Sequence, residues 1–290
     1  MRDKIFFSFS VEGKIRMKKQ RLWPNWKINA QKWNNHLKRT IFDIWLFEEL
    51  ESEKQKEANF IVMETVKQIP YGMSNFEDVI MQNRYYVDKT MYIPLLEDQA
   101  NYLIFIRPRR FGKSLLLSML RSYYDLSQKD KFQQLFGNLW IGQHTTPLQG
   151  KYQILYLDFS KIGGSIDELP QRFDSYSAVQ LDGFLNRYRE YYTDEFIERF
   201  SAADKGIDKL HILDDEARRL GYPLYLIIDE YDNFTNVVLN EKGNEIYRAI
   251  THASGFYRDA FKNYKGMFDR IFMIGVSPVT LDDLSSGYNI

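Results

Sequence analysis

Gly112, Lys113 and Ser114 stand where an apolar run, Tyr102-Leu103-Ile104-Phe105-Ile106, passes through Arg107-Pro108-Arg109-Arg110-Phe111 into an amphipathic stretch. These residue types in this order suit a phosphate-binding loop. A buried strand delivers the chain, backbone N–H groups and a helix N-terminus present partial positive charge, the lysine reaches β- and γ-phosphates, and the hydroxyl meets Mg²⁺. The full pattern G-x-x-x-x-G-K-[ST] has a glycine five residues before the second glycine, and this chain has Arg107 there. Gly-Lys-Ser alone recurs by chance, so a second signal has to support it. Pro223-Leu224-Tyr225-Leu226-Ile227-Ile228-Asp229-Glu230 supplies one: an apolar run ending in two acids, as expected of a buried parallel strand with carboxylates at its C-terminal edge. Ligands of open α/β sheets sit at that edge. Asp229 is placed to hold the Mg²⁺ shell through water, and Glu230 to orient or deprotonate an attacking water.

The elements that must position these residues follow from patterning. Ser114 to Tyr124 carries Leu115, Leu116, Met119, Leu120 and Tyr123 on one helical face. Ile154 to Ser160 reads as a second strand, closed by Gly163-Gly164, and Arg270 to Ser277 as a fourth. Between them, Pro170 to about Leu220 has a mostly helical pattern broken near Lys205-Gly206, and a further helix is expected from about Glu245 to Phe261. Helical connections of this length imply parallel pairing with right-handed crossovers. The expectation is an α/β fold, a three-layer αβα sandwich around a mainly parallel sheet.

Residues 1–62 differ from the rest. The first 40 are rich in Lys and Arg, with only Asp3 and Glu12 as acids, and Glu48-Glu49-Leu50-Glu51-Ser52-Glu53 is acidic. Trp33, Leu37, Ile41, Ile44 and Trp45 recur at helical spacing, so a helix is expected from Trp33 to Lys56. The whole segment reads as a basic extension, partly helical or disordered. Lys67 to Phe76, punctuated by Pro70 and Gly72, looks like a domain entry, which puts the boundary near Met63.

Composition narrows the function classes. With 39 basic and 39 acidic residues the net charge is zero, so global charge does not argue for nucleic acid or membrane. The absence of cysteine excludes disulfides, thiolate zinc sites and cysteine nucleophiles, and a reducing cytoplasm fits. No run reaches the ~20 apolar residues of a membrane span. Ile5 to Val11 is too short and too soon followed by charge to be a secretory signal. The four histidines are scattered without metal-ligand spacing.

Further stretches carry a resemblance: Ile69-Pro70-Tyr71-Gly72, Tyr86-Val87-Asp88-Lys89-Thr90, Leu157-Asp158-Phe159-Ser160, Ile228-Asp229-Glu230-Tyr231-Asp232 and Gly275-Val276-Ser277-Pro278. With the loop, they make residues from about Met63 to Ile290 similar to the bacterial AAA-ATPase-like family of P-loop proteins. The arginine-proline-arginine-arginine form of the loop looks usual there. Pro108 biases Arg107 toward extended backbone, which lets a loop close without the first glycine. Arg109 and Arg110 are then either phosphate contacts or solvated cations. The resemblance implies nucleotide contacts from Arg107, Arg109, Arg110, Phe111, Gly112, Lys113, Ser114 and Leu115. Ser277 is either a sensor of the γ-phosphate or a turn residue. Asp88, Asp158 and Asp232 are weaker candidates, Asp232 as an electrostatic tuner of the acid pair.

Members of that family commonly continue into a nuclease-like domain, and the text here stops at Tyr288-Asn289-Ile290, where that continuation is expected. The unmatched first 62 residues fit an initiator at Met63, which the intact mass of the natively expressed protein would check. The leading functional expectation is ATP binding with Mg²⁺-dependent hydrolysis. Two others stay open: a nucleotide-gated interaction module with little turnover, and a nucleic-acid-associated fragment using the basic arm, whose binding would be steeply salt-dependent. Base identity, oligomeric state and client are not legible.

Overall fold

A computed structural model describes Ile5–Phe9, Ile15–Lys19, residues 67–233 and residues 256–277. The chain divides into two compact units, Met1–Lys67 and Gln68–Ile290. In the first, β1 (Ile5–Phe9) pairs antiparallel with β2 (Ile15–Lys19), in a register that sets Ile5 opposite Lys19 and Phe9 opposite Ile15. Residues 1–62 were expected to be a partly helical or disordered extension, and this strand pair, the described part of them, was not anticipated. The Phe-rich run Ile5-Phe6-Phe7 has the composition that strands favour. The helix expected from Trp33 to Lys56 lies outside the described residues, as do residues 245–255 of the helix expected before Phe261.

The second unit is built on a four-stranded parallel sheet. Its strands are β3 (Tyr102–Ile106), β4 (Gln153–Asp158), β5 (Leu224–Asp229) and β6 (Arg270–Gly275), in the order β3-β6-β5-β4. Every pair is parallel, so all four C-terminal ends lie along one edge. The register fixes that edge: Ile106 is opposite Gly275, Asp229 opposite Ile274, and Asp158 opposite Asp229. The central strand β5 is buried along its whole length, which is why it reads as an unbroken apolar run.

Successive strand residues point to opposite faces, and the core divides accordingly. One apolar cluster unites Leu155, Leu157, Leu226, Ile228, Ile271 and Met273 with residues of α6 (Leu169–Tyr188), α7 (Asp194–Ser201), α8 (Gly206–Leu220) and α9 (Phe256–Met267). The other unites Ile154, Tyr225, Ile227, Phe272 and Ile274 with α1 (Phe76–Met81), α2 (Ile93–Glu97), α3 (Lys113–Tyr124), α4 (Phe132–Phe136) and α5 (Trp140–Gln143). Among the described residues, no helix is long and apolar enough to cross a membrane.

Local signals explain the ends of several elements. Pro170 occupies the first turn of α6, where its missing N–H costs nothing. Thr193 caps α7 by accepting from the Phe196 N–H at 3.3 Å. Gly221, at φ 73°, closes α8 in the left-handed conformation that other residues adopt at a cost. The helical region after Pro170 breaks twice, at the expected Lys205-Gly206 and also at 189–193, where Arg189–Tyr191 form a 3₁₀ turn before the Thr193 cap. Helix α3 also buries Leu117 and Tyr124 beside Met119, Leu120 and Tyr123, while Leu115 and Leu116 are only partly buried, a small rotation from the expected face.

Candidate functional site

At the shared strand edge, β3 ends and the loop to α3 begins. The Arg107 N–H donates to the Gly275 carbonyl at 3.0 Å, extending the β3–β6 ladder by one residue before the chain turns away. The turn needs left-handed backbone at two positions, Arg110 at φ 68° and Gly112 at φ 71°. For a non-glycine residue that conformation is uncommon, and it concentrates at functional sites. Gly112 caps α3, so the positive end of a 12-residue helix opens here.

Side chains in the loop take different stations. Lys113 is buried, 7% exposed, and its Nζ lies 3.5 Å from the Pro108 carbonyl it donates to, curled inside the loop. Arg107, Arg109 and Arg110 are exposed, with the Arg107 guanidinium 4.8 Å above the Phe105 ring. Phe111 is 65% exposed. Leu115 is partly buried and packs against the apolar cluster on the α3 side, so of its groups the backbone is the part left to face a ligand.

The acid pair meets this loop. The Ser114 hydroxyl donates to Asp229 Oδ2 at 3.0 Å, joining residues 115 apart in sequence. Asp229 is buried at 4% exposure, and its Oδ1 accepts the Glu230 N–H at 2.9 Å. Burial raises the Asp229 carboxyl above the usual aspartate range; the Ser114 bond opposes this, Asp158 adds to it, and the Lys113 ammonium opposes it. Glu230 is raised too, first by burial and then by Asp229, against the pull of Lys113 and Arg109. Glu230 has φ 51°, so the carboxylate after the strand is held by left-handed backbone at the point where β5 leaves the sheet.

Ser277 leaves β6, which lies between β3 and β5, so strand order sets it between the loop and the acid pair. Asp232, 2% exposed, accepts the Ser277 N–H at 2.6 Å and the Val276 N–H at 3.2 Å, and the Tyr231 hydroxyl donates to the Ser277 carbonyl at 2.7 Å. Asp232 therefore clamps the β6 exit to the β5 exit, and its charge also raises Glu230. Asp158, by contrast, turns onto Ser160, accepting its N–H at 3.1 Å and its hydroxyl at 2.6 Å.

The clamp leaves no room for a side chain at Gly275. A β-carbon there would fall 2.4 Å from Asp232 Oδ1 and 2.6 Å from Tyr231 Cε1. Gly275→Ala is expected to destabilise the fold by about 1–3 kcal/mol, as overpacking does. Thermal unfolding should show it as a midpoint lowered by several degrees; an unchanged midpoint would mean the clamp is not packed this way.

Sequence reasoning did not find Tyr156, whose hydroxyl donates to Asp229 Oδ2 at 3.4 Å and whose ring carries the Arg121 guanidinium at 4.3 Å. The period of two along β4 could have found it, because it sets Tyr156 on the same face as Ile154, toward α3. Lys89 was also missed as a neighbour of the loop, its Nζ 3.9 Å from where a β-carbon on Gly112 would be. Only its place in a matching stretch hinted at it.

The arrangement can do the following. Loop N–H groups and Lys113 present positive charge to an anion, and Ser114 with Asp229 offers two hard oxygen donors 3.0 Å apart. That is about the separation of neighbouring ligands around an octahedral ion with bonds of about 2.1 Å, and an ion of the Mg²⁺ type retains several waters beside one or two protein ligands. No group of three or more His, Asp or Glu placed to hold a metal occurs among the described residues. The donor pair could supply two neighbouring ligands to a hard, partly hydrated divalent ion.

A family model described as AAA-ATPase_like, Predicted AAA-ATPase, matches residues 70–285, most of the chain. Searches of curated proteins and of solved structures return no match.

Proposed function

Because the chain belongs to the predicted AAA-ATPase-like family, we propose that its second unit binds ATP with Mg²⁺ and hydrolyses it at the edge where Lys113, Ser114, Asp229 and Glu230 gather. The observation that carries this reading is the 3.0 Å hydrogen bond between Ser114 and Asp229, since it brings a phosphate loop and an acid-bearing strand end, distant in sequence, to one ligand's length. We read the two helical groups and the sheet between them as a three-layer αβα sandwich, and residues from about Met63 as the ATPase domain.

Lys113 and the loop N–H groups hold the β- and γ-phosphates, with Arg109 and Arg110 poised at the exposed side. Ser114 would hold the Mg²⁺, and Asp229 would hold it directly or through a shell water; the ion neutralises phosphate oxygens while bound. Glu230 orients a water in line with the γ-phosphorus and takes its proton as the new P–O bond forms, and the bond to the ADP oxygen breaks. Ser277, fixed by Asp232, is placed to report the γ-phosphate to β6.

Ligand-induced stabilisation tests the binding step. With MgATP at about 100 times its Kd, the linkage gain is about 2.7 kcal/mol, a shift of several degrees in thermal midpoint. Chelation of Mg²⁺ is expected to remove most of that shift and all phosphate release. No shift with any nucleoside triphosphate in Mg²⁺ would refute the site.

A further inference from the structure

The stretch Tyr86-Val87-Asp88-Lys89-Thr90 has no part in the proposed chemistry so far, yet it is anchored beside the phosphate loop. Asp88 Oδ1 accepts the Thr90 N–H at 2.8 Å and its hydroxyl at 2.7 Å, while Oδ2 accepts the Trp140 N–H at 2.7 Å. Thr90 is fully buried, and its Oγ1 accepts the Ile141 N–H at 3.1 Å. Both neighbours of Lys89 are thus tied to the first residues of α5, and the lysine's backbone is fixed between them.

From that platform the Lys89 side chain runs exposed to the loop, its Nζ 3.9 Å from the β-carbon position of Gly112. Among the described residues it makes no hydrogen bond or ion pair, whereas Lys131 and Lys209 sit on Glu77 and Asp182 at 2.7 and 2.5 Å. The loop it approaches is rich in positive charge: the N-terminal end of α3 opens there, and Lys113 and three arginines belong to the same loop. A cation held over such a place is stabilised when an anion of high charge enters.

We propose that Lys89 is a second phosphate-contacting lysine, its ammonium reaching over the Gly112 turn to the polyphosphate chain of the bound nucleotide, a contact that rests on the nucleotide reading of the loop. The turn is served by glycine because its backbone is left-handed, at φ 71°, and the Lys89 amine lies at ordinary contact distance from its β-carbon position. Lys113 approaches from inside the loop and Lys89 from outside it, so the phosphates are held between two ammonium groups.

The test measures binding of MgATP and of inorganic tripolyphosphate to the full chain and to its Lys89→Ala, Lys89→Arg and Lys113→Ala variants. Lys89→Ala is expected to weaken both ligands alike by about tenfold, the scale of one charge-assisted contact, with an unchanged thermal midpoint because the side chain is exposed. Lys89→Arg is expected to restore most of the affinity. If Lys89→Ala binds both ligands as the parent does while Lys113→Ala binds neither, the Lys89 assignment fails and the nucleotide site stands. If the loss appears with ATP and not with tripolyphosphate, the contact is to the nucleoside and the phosphate assignment is overturned. If the parent chain binds neither ligand, both readings fall together.

Discussion

Lys113→Ala is expected to reduce ATP affinity at least a hundredfold, to the point where ordinary titrations detect no binding. The reason lies in where the amine sits. It is buried inside the loop, it touches the Pro108 carbonyl at 3.5 Å, and it is near enough to pull both acids of the pair downward. A charge in such a shielded position interacts with phosphate far more strongly than a surface lysine does. The fold should not suffer in the same proportion, since the amine has a single long hydrogen bond and removing a buried cation relieves a desolvation cost. The variant should therefore melt close to the parent without nucleotide and lose the nucleotide-induced shift. Equal ATP affinity in parent and variant would refute the site.

Glu230→Gln is expected to separate binding from turnover: ATP affinity within a few-fold of the parent, phosphate release lower by about 10²–10⁴, the usual contribution of a positioned base. Glutamine matches the side chain in size and leaves the left-handed backbone at φ 51° in place, so the loss is of charge and basicity. Burial and the nearby Asp229 raise the Glu230 carboxyl, which makes its ionised form a better proton acceptor, while Lys113 and Arg109 keep that form accessible. Removing one of two adjacent acids also eases their repulsion, so tighter nucleotide binding would agree with this reading. Phosphate release within twofold of the parent would show that water is activated by another group.

Much of the fold was legible because its strands are largely apolar, β5 being buried throughout and β3 partly buried at the sheet's end. The runs at 102–106, 154–158, 224–229 and 270–275 are continuous and apolar, and continuous runs between helical stretches permit few other arrangements. The short elements between Leu126 and Gln143 carry weak periodicity and were not anticipated; they are held by packing of Leu135, Phe136 and Ile141 into the cluster on the α3 side. The β1–β2 pair was missed for a related reason, since a five-residue strand gains its stability from its partner.

For the site, the meeting of the loop with the acid pair at the sheet edge was expected from the sequence, and the Ser114–Asp229 hydrogen bond agrees with it, whereas their further neighbours were not foreseen. Gly112, Lys113 and Ser114, and Asp229 with Glu230, declare their chemistry by type and spacing along the chain, because a helix start after a turn and acids after an apolar run are local features. What tertiary structure alone decided is which further groups join them at the edge. Placing β6 between β3 and β5 sets Ser277 between the loop and the acids, the pleat of β4 delivers the Tyr156 hydroxyl to Asp229, and hydrogen bonds that Asp88 and Thr90 accept from α5 carry Lys89 to Gly112. Each of these depends on strand order, face or a contact across 40 or more residues, and a one-dimensional pattern holds no record of distance.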